Sequence, residues 1–140
     1  MKVFLDTDVI ISSFLSSSGA SYYLINESLN ITEFYISNFS VKEIEIVTKR
    51  LKIQNKLKDL KSKLNVTDLD YKSSDIKKLF GKYVYDINDA HIVIAAKQSH
   101  SRFLLTYNIK DYDLNLIKKD LDITILEPGV FIQYLRSIEN

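Results

Sequence analysis

The chain has no cysteine, a single proline at Pro128, three glycines and only two histidines, His91 and His100. Without cysteine there are no disulfides and no thiolate-bound metals, and nothing ties the protein to an oxidising compartment; a cytoplasmic location fits. Two histidines are too few for a zinc centre built on imidazoles, and no Ser-His-Asp relay is expected. His91 follows Asp89 by two residues, about 200° round a helix, and is expected to face away from it as a structural histidine. His100 is expected at an exposed helix end. No apolar run approaches the ~20 residues needed to cross a bilayer, and the start reads as a strand rather than a basic, then apolar leader. No association with a membrane is expected. With 46% hydrophobic and 26% charged residues over 140 positions, the composition is that of a folded chain, expected to form one domain over residues 1–140.

The stretch that organises the rest is Lys2 to Ile11, in which the apolar run Val3-Phe4-Leu5 stops at Asp6 and polar residues lead into a second apolar segment. A short continuous apolar run bounded by a polar turn suits a strand in the interior of a parallel sheet. Val9, Ile10, Phe14 and Leu15 then fall close to helical spacing, with Thr7 or Asp8 placed to cap the helix. Further strands are expected at Phe34–Ile36, briefly at Tyr83–Tyr85, at Phe103–Leu105 and at Ile123–Leu126. Helices are expected at 20–29, from about Ser40 onward, from near Ile53 to Leu64, at 73–80, at 87–97 and at 130–138. The segment 87–97 carries small residues suited to lying close to a sheet. Strands alternating with helices predict an α/β fold with a parallel sheet of four to five strands covered on both faces.

Position, rather than number, makes the acids informative. Asp6 follows the first expected strand, Glu43 the second, Asp86 and Asp89 the third, and Asn108 and Asp111 the fourth. In a parallel sheet these points share one edge, where ligands of open α/β sheets bind. Crowded carboxylates raise one another's pKa unless a cation relieves them. Oxygen donors without His or Cys suit Mg²⁺ or Mn²⁺, which serve phosphoryl chemistry. Most of these acids also have a capping role open to them. Ser40-Val41-Lys42-Glu43 fits a capping box, and Asp86, Asp89 and Asp111 sit where helix N-termini favour acids. Asp6 ends a buried strand and is the first candidate for chemistry. Separately, Lys49, Arg50, Lys52, Lys56, Lys58, Lys61 and Lys63 form a basic stretch against the single acid Asp59. Such a stripe is either a solvated helical face or a contact for phosphates. The tyrosines are scattered at core-like spacing, without the pattern of a base-stacking platform.

Met1-Lys2-Val3-Phe4-Leu5-Asp6-Thr7-Asp8-Val9-Ile10-Ile11, the segment Ser37 to Glu43, Asp89-Ala90-His91-Ile92-Val93-Ile94-Ala95-Ala96 and Leu104-Leu105-Thr106-Tyr107-Asn108 occur in the order and spacing of a PIN domain. The turn Ser17-Ser18-Gly19-Ala20 further resembles the VapC-related branch of toxins from toxin–antitoxin pairs. The resemblance implies a three-layer, Rossmann-like fold and a Mg²⁺- or Mn²⁺-dependent ribonuclease that hydrolyses the RNA backbone to leave a 5′-phosphate and a 3′-hydroxyl. It assigns Asp6, Glu43, Asp89 and Asn108 to catalysis and, with Asp111, to the metal. Thr7, Asp8, Asp86 and Thr106 support the site, and Lys49, Arg50, Lys52 and Lys56 are placed to hold RNA. In this family the position of Asn108 is often aspartate, and that of Asp8 is more usually asparagine. The resemblance further implies an antitoxin partner and a homodimer. Asp6-Thr7-Asp8 also resembles the first motif of haloacid-dehalogenase-type phosphatases, in which Asp6 would be the nucleophile and Asp8 a general acid. A third alternative is a non-catalytic PIN-like module that binds RNA or protein.

Overall fold

A computed structural model describes residues 1–139 of the chain. Five strands, β1 (Lys2–Leu5), β2 (Glu33–Ser37), β3 (Leu64–Thr67), β4 (Phe103–Leu105) and β5 (Thr124–Leu126), form one sheet in the order β3-β2-β1-β4-β5. Every pairing is parallel. The chain winds outward from β1 in both directions, which leaves a crevice between the C-terminal ends of β1 and β4, the topological switch point of such sheets. The fold is therefore the α/β class expected, with the upper number of strands.

Side chains alternate across a strand, and this alternation divides the interior in two. Val3, Leu5, Phe34, Ile36, Phe103 and Leu105 face one core, which helices α1 (Thr7–Leu15), α2 (Ala20–Glu27), α3 (Asn38–Arg50), α4 (Gln54–Lys61) and α8 (Pro128–Glu139) cover. Phe4 and Leu104 face the other, closed by α5 (Ser73–Phe80), α6 (Ala90–Gln98) and α7 (Leu114–Leu121). Phe4 and Phe131, both fully buried, anchor opposite cores. Residues Ala90 to Ala96 of α6 are all buried, and the alanines among them let the helix lie close to β1 and β2.

Several elements differ from the expectation. Leu64–Thr67, expected to end a helix and enter an unclassified stretch, is the edge strand β3. Only Thr67 of its residues is fully buried, so it lacks the apolar run of an inner strand. Tyr83–Tyr85 is not in the sheet: Gly81–Tyr83 is a single 3₁₀ turn, and Val84 makes an isolated antiparallel bridge to Tyr112. Helix α7 was not expected. The helix expected to begin near Ile87 starts as a 3₁₀ turn, Ile87–Asp89, and becomes α-helical at Ala90.

Candidate active site

Asp6 sits where β1 ends and α1 begins. Its backbone N–H continues the sheet to the carbonyl of Leu105 (3.0 Å), and its extended φ and ψ place it as the helix N-cap, so that neither Thr7 nor Asp8 is the cap. Oδ1 accepts from the Thr7 N–H (2.7 Å). Oδ2 accepts from the hydroxyls of Thr106 (2.9 Å) at the end of β4 and Tyr112 (2.7 Å). Thr106 and Asp6 thus join across the switch point, and all three donors are neutral. Burial pushes the Asp6 carboxyl above its usual range against the lowering effect of these donors, and Glu43 adds to the rise. The Tyr112 phenol is itself pushed up, by burial first and then by the neighbouring Asp6 charge.

Glu43 lies one turn further into α3 than a capping role would need. The N-cap is Ser37, whose Oγ accepts from the Ser40 N–H (3.0 Å), so the capping box expected at Ser40 and Glu43 does not form. The Glu43 side chain instead accepts from Thr7 Oγ1 (3.2 Å) and from His91 Nε2 (3.0 Å). The hydrogen bond from His91 is the main cause that holds the Glu43 carboxyl below its ordinary range. His91, expected to face away, is buried with its other ring nitrogen 3.4 Å from Ser37 Oγ and its ring against Phe39. The helical angle was counted from Asp89 alone, whereas Glu43 approaches α6 from the neighbouring helix α3.

Asp89 precedes α6 and makes no capping hydrogen bond with its side chain. Burial, followed by the charges of Asp6, Asp86 and Asp111, pushes its carboxyl up to about 6. Asp86 does cap, accepting from the Asn88 N–H (3.0 Å). Asp8, in the first turn of α1, has Oδ2 against the Tyr107 N–H (2.9 Å), Asn108 Nδ2 (3.0 Å) and Thr106 Oγ1 (3.4 Å). Its carboxyl is likewise pushed up to about 6, by burial and then by Asp6. Asp6, Asp8, Glu43, Asp89, Asp111, Thr7, Thr106 and Asn108 therefore share one end of the crevice. Among the described residues no lysine or arginine pairs with any of these carboxylates.

The basic residues expected to hold RNA are not brought to this edge. Lys49 and Arg50 end α3, roughly 9–10 Å along the helix axis from Glu43, and Lys52 follows in the turn with a left-handed backbone (φ 59°). Lys56 donates to the carbonyl of Phe14 (2.6 Å), near the far end of α1 from Asp6. Replacing Lys49, Arg50 and Lys52 together by alanine is expected to change RNA cleavage by less than about threefold, since exposed charges about one Debye length from the acids act on them weakly. A loss above tenfold in cleavage assays at moderate salt would return these residues to the substrate path.

Tyr112 was not singled out from the sequence, because a buried tyrosine reads as core. It is held in place by a small antiparallel clamp: the Tyr85 N–H donates to Asp111 O (2.9 Å) and the Asp113 N–H to Tyr83 O (2.9 Å). Tyr112→Phe is expected to cost about 1–2 kcal/mol in chemical denaturation, as for a hydrogen bond to a charged group. A variant as stable as the native chain would show that the phenol contributes packing alone.

As they stand, no three His, Asp or Glu side chains among the described residues converge tightly enough to ligate one ion. Glu43 is engaged by His91 and Thr7, and Asp6 by its three donors. The donor set nonetheless fits a hard divalent cation that keeps part of its water shell: it is all oxygen, anionic and without a lysine or arginine partner. Asp8 Oδ1, buried and without a hydrogen-bond partner, fits the same group.

Comparison with known proteins bears on this geometry. The family model described as PIN domain matches residues 2–110. Among solved structures, the chain is similar to VapBC2 from Rickettsia felis, bound to a DNA fragment from its promoter: TM-score 0.67, 17% identity, 91% of this chain and 98% of that one. It is also similar to VapBC-1 from nontypeable Haemophilus influenzae: TM-score 0.60, 14% identity, 92% of this chain and 99% of that one. No curated protein sequence matches.

Proposed function

This chain belongs to the PIN domain family, and from that membership and the chemistry of its acidic edge we propose that it is a metal-dependent endoribonuclease, the toxin of a toxin–antitoxin pair. The observation that carries the reading is the meeting of Asp6, Asp8 and Asp89 at the β1–β4 crevice, where burial first and neighbouring carboxylates second raise all three, with no lysine or arginine paired to any of them. Such an arrangement costs stability in the free protein and suits a cation. Asp6, Glu43 and Asp89, with Asp111 beside them, would hold Mg²⁺ or Mn²⁺ directly or through water. When bound, the ion supplies a polarised water and neutralises charge on a phosphodiester.

The chain's own residues orient and tune. Thr106 and Tyr112 fix Oδ2 of Asp6 while Oδ1 accepts only from the Thr7 N–H, and the Thr7 hydroxyl ties Glu43 to the start of the same helix. His91 holds the Glu43 carboxyl below its ordinary range, so that it stays ionised further into the acid range. A nucleophilic Asp6, as in a haloacid-dehalogenase-type phosphatase, has little in its favour. Three donors pin its carboxylate, and Asp8, the residue that would serve as general acid, is bound to Tyr107 and Asn108.

The VapBC assemblies named above support an antitoxin partner, and a homodimer is part of the same reading. Among the described residues no helix is long and apolar enough to cross a membrane, and we place the action on RNA in the cytoplasm. The test is cleavage of a labelled RNA pool by the full chain with Mg²⁺ or Mn²⁺, with and without chelator. New 5′-phosphate ends that vanish on chelation are expected. RNA binding without cleavage under either metal would instead favour a non-catalytic module.

A further inference from the structure

The two oxygens of Asp8 live in different worlds. Oδ2 takes the Tyr107 N–H at 2.9 Å, Asn108 Nδ2 at 3.0 Å and Thr106 Oγ1 at 3.4 Å. Oδ1 is shut away from solvent and has no partner. A buried acceptor left unpaired is costly, more so on a group that can ionise. The asymmetry is not a shortage of donors, because three crowd the neighbouring atom. It is an orientation: the donors on Oδ2 lock a carboxylate that feels the Asp6 charge, and Oδ1 stays free.

Asn108 is committed in the opposite sense. A carboxylate oxygen only accepts, so the Asn108 side chain must turn its amide nitrogen to Asp8; the flipped amide would set two oxygens 3.0 Å apart. Its backbone N–H is also engaged, on Thr106 Oγ1 at 3.0 Å. The amide nitrogen at position 108 is therefore committed to Asp8 as a donor and is not a ligand, and what is left to face a cation is a neutral amide oxygen.

We propose that Asp8 supplies a further carboxylate of this site, presenting Oδ1 to the divalent cation, and that Asn108 is a positioning residue that clamps Asp8 rather than a ligand. This rests on the reading of the acidic edge as a cation site. It assigns the two residues by which atoms they leave free. A carboxylate is the stronger ligand for a hard cation than an amide oxygen, and Asp8 sits two residues from Asp6 on the first turn of α1.

The test is Mn²⁺ binding to the full chain, followed by electron paramagnetic resonance or calorimetry, with thermal melts of the metal-free proteins alongside. Asp8→Asn is expected to weaken Mn²⁺ at least about tenfold, while the metal-free melting temperature stays the same or rises, since a buried charge is removed and the amide oxygen still accepts from Tyr107 and Asn108. Asn108→Ala is expected to weaken Mn²⁺ less than Asp8→Asn does, because Tyr107 and Thr106 still hold Asp8. The double variant D8N/N108D returns a carboxylate across the same hydrogen bond and is expected to recover affinity that D8N loses. Native affinity in D8N together with lost affinity in N108A would overturn the assignment. So would a metal-free D8N that melts well below the native chain, which would mark Asp8 as a purely structural tie. Asp6→Asn separates the two levels: Mn²⁺ binding that ignores Asp6 removes both the site and this proposal, whereas binding that needs Asp6 but ignores Asp8 removes the proposal alone.

Discussion

Asp6→Asn is expected to lower metal-dependent RNA cleavage on the order of a thousandfold while leaving the fold intact. The two halves of this expectation have separate physical sources. Asparagine caps a helix as well as aspartate does, so the Thr7 N–H keeps its acceptor. The atom that replaces Oδ2 is an amide nitrogen, and the partners there are the hydroxyls of Thr106 and Tyr112, each of which can reverse its role and accept. The seam between β1 and β4 therefore survives the change. What does not survive is the anion. Burial already holds the Asp6 carboxyl above its usual range, so the metal-free variant is expected to melt at the native temperature or above it at neutral pH. Circular dichroism melts and initial rates on one RNA, measured on the same preparations, check both halves. Full cleavage by a folded Asp6→Asn protein would remove Asp6 from the chemistry and the proposed nuclease site with it.

The seam that protects this variant was partly legible in the sequence. A continuous apolar strand that stops at a polar residue is readable because the interior of a parallel sheet admits no alternation, and both β1, stopping at Asp6, and β4, stopping at Thr106, carry that signal. β3 does not, since an edge strand with exposed Asn65 and Val66 has neither an apolar run nor a buried face to mark it. At the site, the acids that follow strands were readable from their positions, but the freedom of Glu43 and Asp89 from capping was not. Ser37, one turn before the expected cap, takes the helix start and leaves Glu43 available. That competition is settled by where β2 stops, a matter of register that local spacing does not encode. His91 and Tyr112 were missed for a related reason: each acts across elements distant in sequence, His91 on Glu43 and Tyr112 on Asp6. A pattern read along one helix or strand carries no information about what the neighbouring element presents to it.

Asp89 is the residue whose two readings, cap or ligand, separate most sharply in experiment. It stands at the entry to α6 yet makes no capping bond, and burial with the charges of Asp6, Asp86 and Asp111 pushes it up to about 6. A group raised in the folded state contributes stability that is fully present below its ordinary value of 3.8 and is lost as the pH climbs through about 6. Asp8 has the same sign and window. Glu43 has the opposite sign: its contribution is present above its ordinary range and is lost as the pH falls through its lowered folded value. The metal-free protein is therefore expected to lose stability between about pH 4 and pH 6, and Asp89→Asn to flatten that slope and melt higher than the native chain at pH 8. Cation reverses the order. At a hundredfold excess over its dissociation constant, a ligand that binds only the folded state adds about 2.7 kcal/mol, a rise of roughly 10 °C for a chain of this size. Native protein is expected to show that rise with Mn²⁺. Asp89→Asn is expected to lose most of it, together with about a hundredfold in cleavage. Were Asp89 only a helix cap, its asparagine variant would keep the native thermal response to Mn²⁺, because asparagine caps equally well.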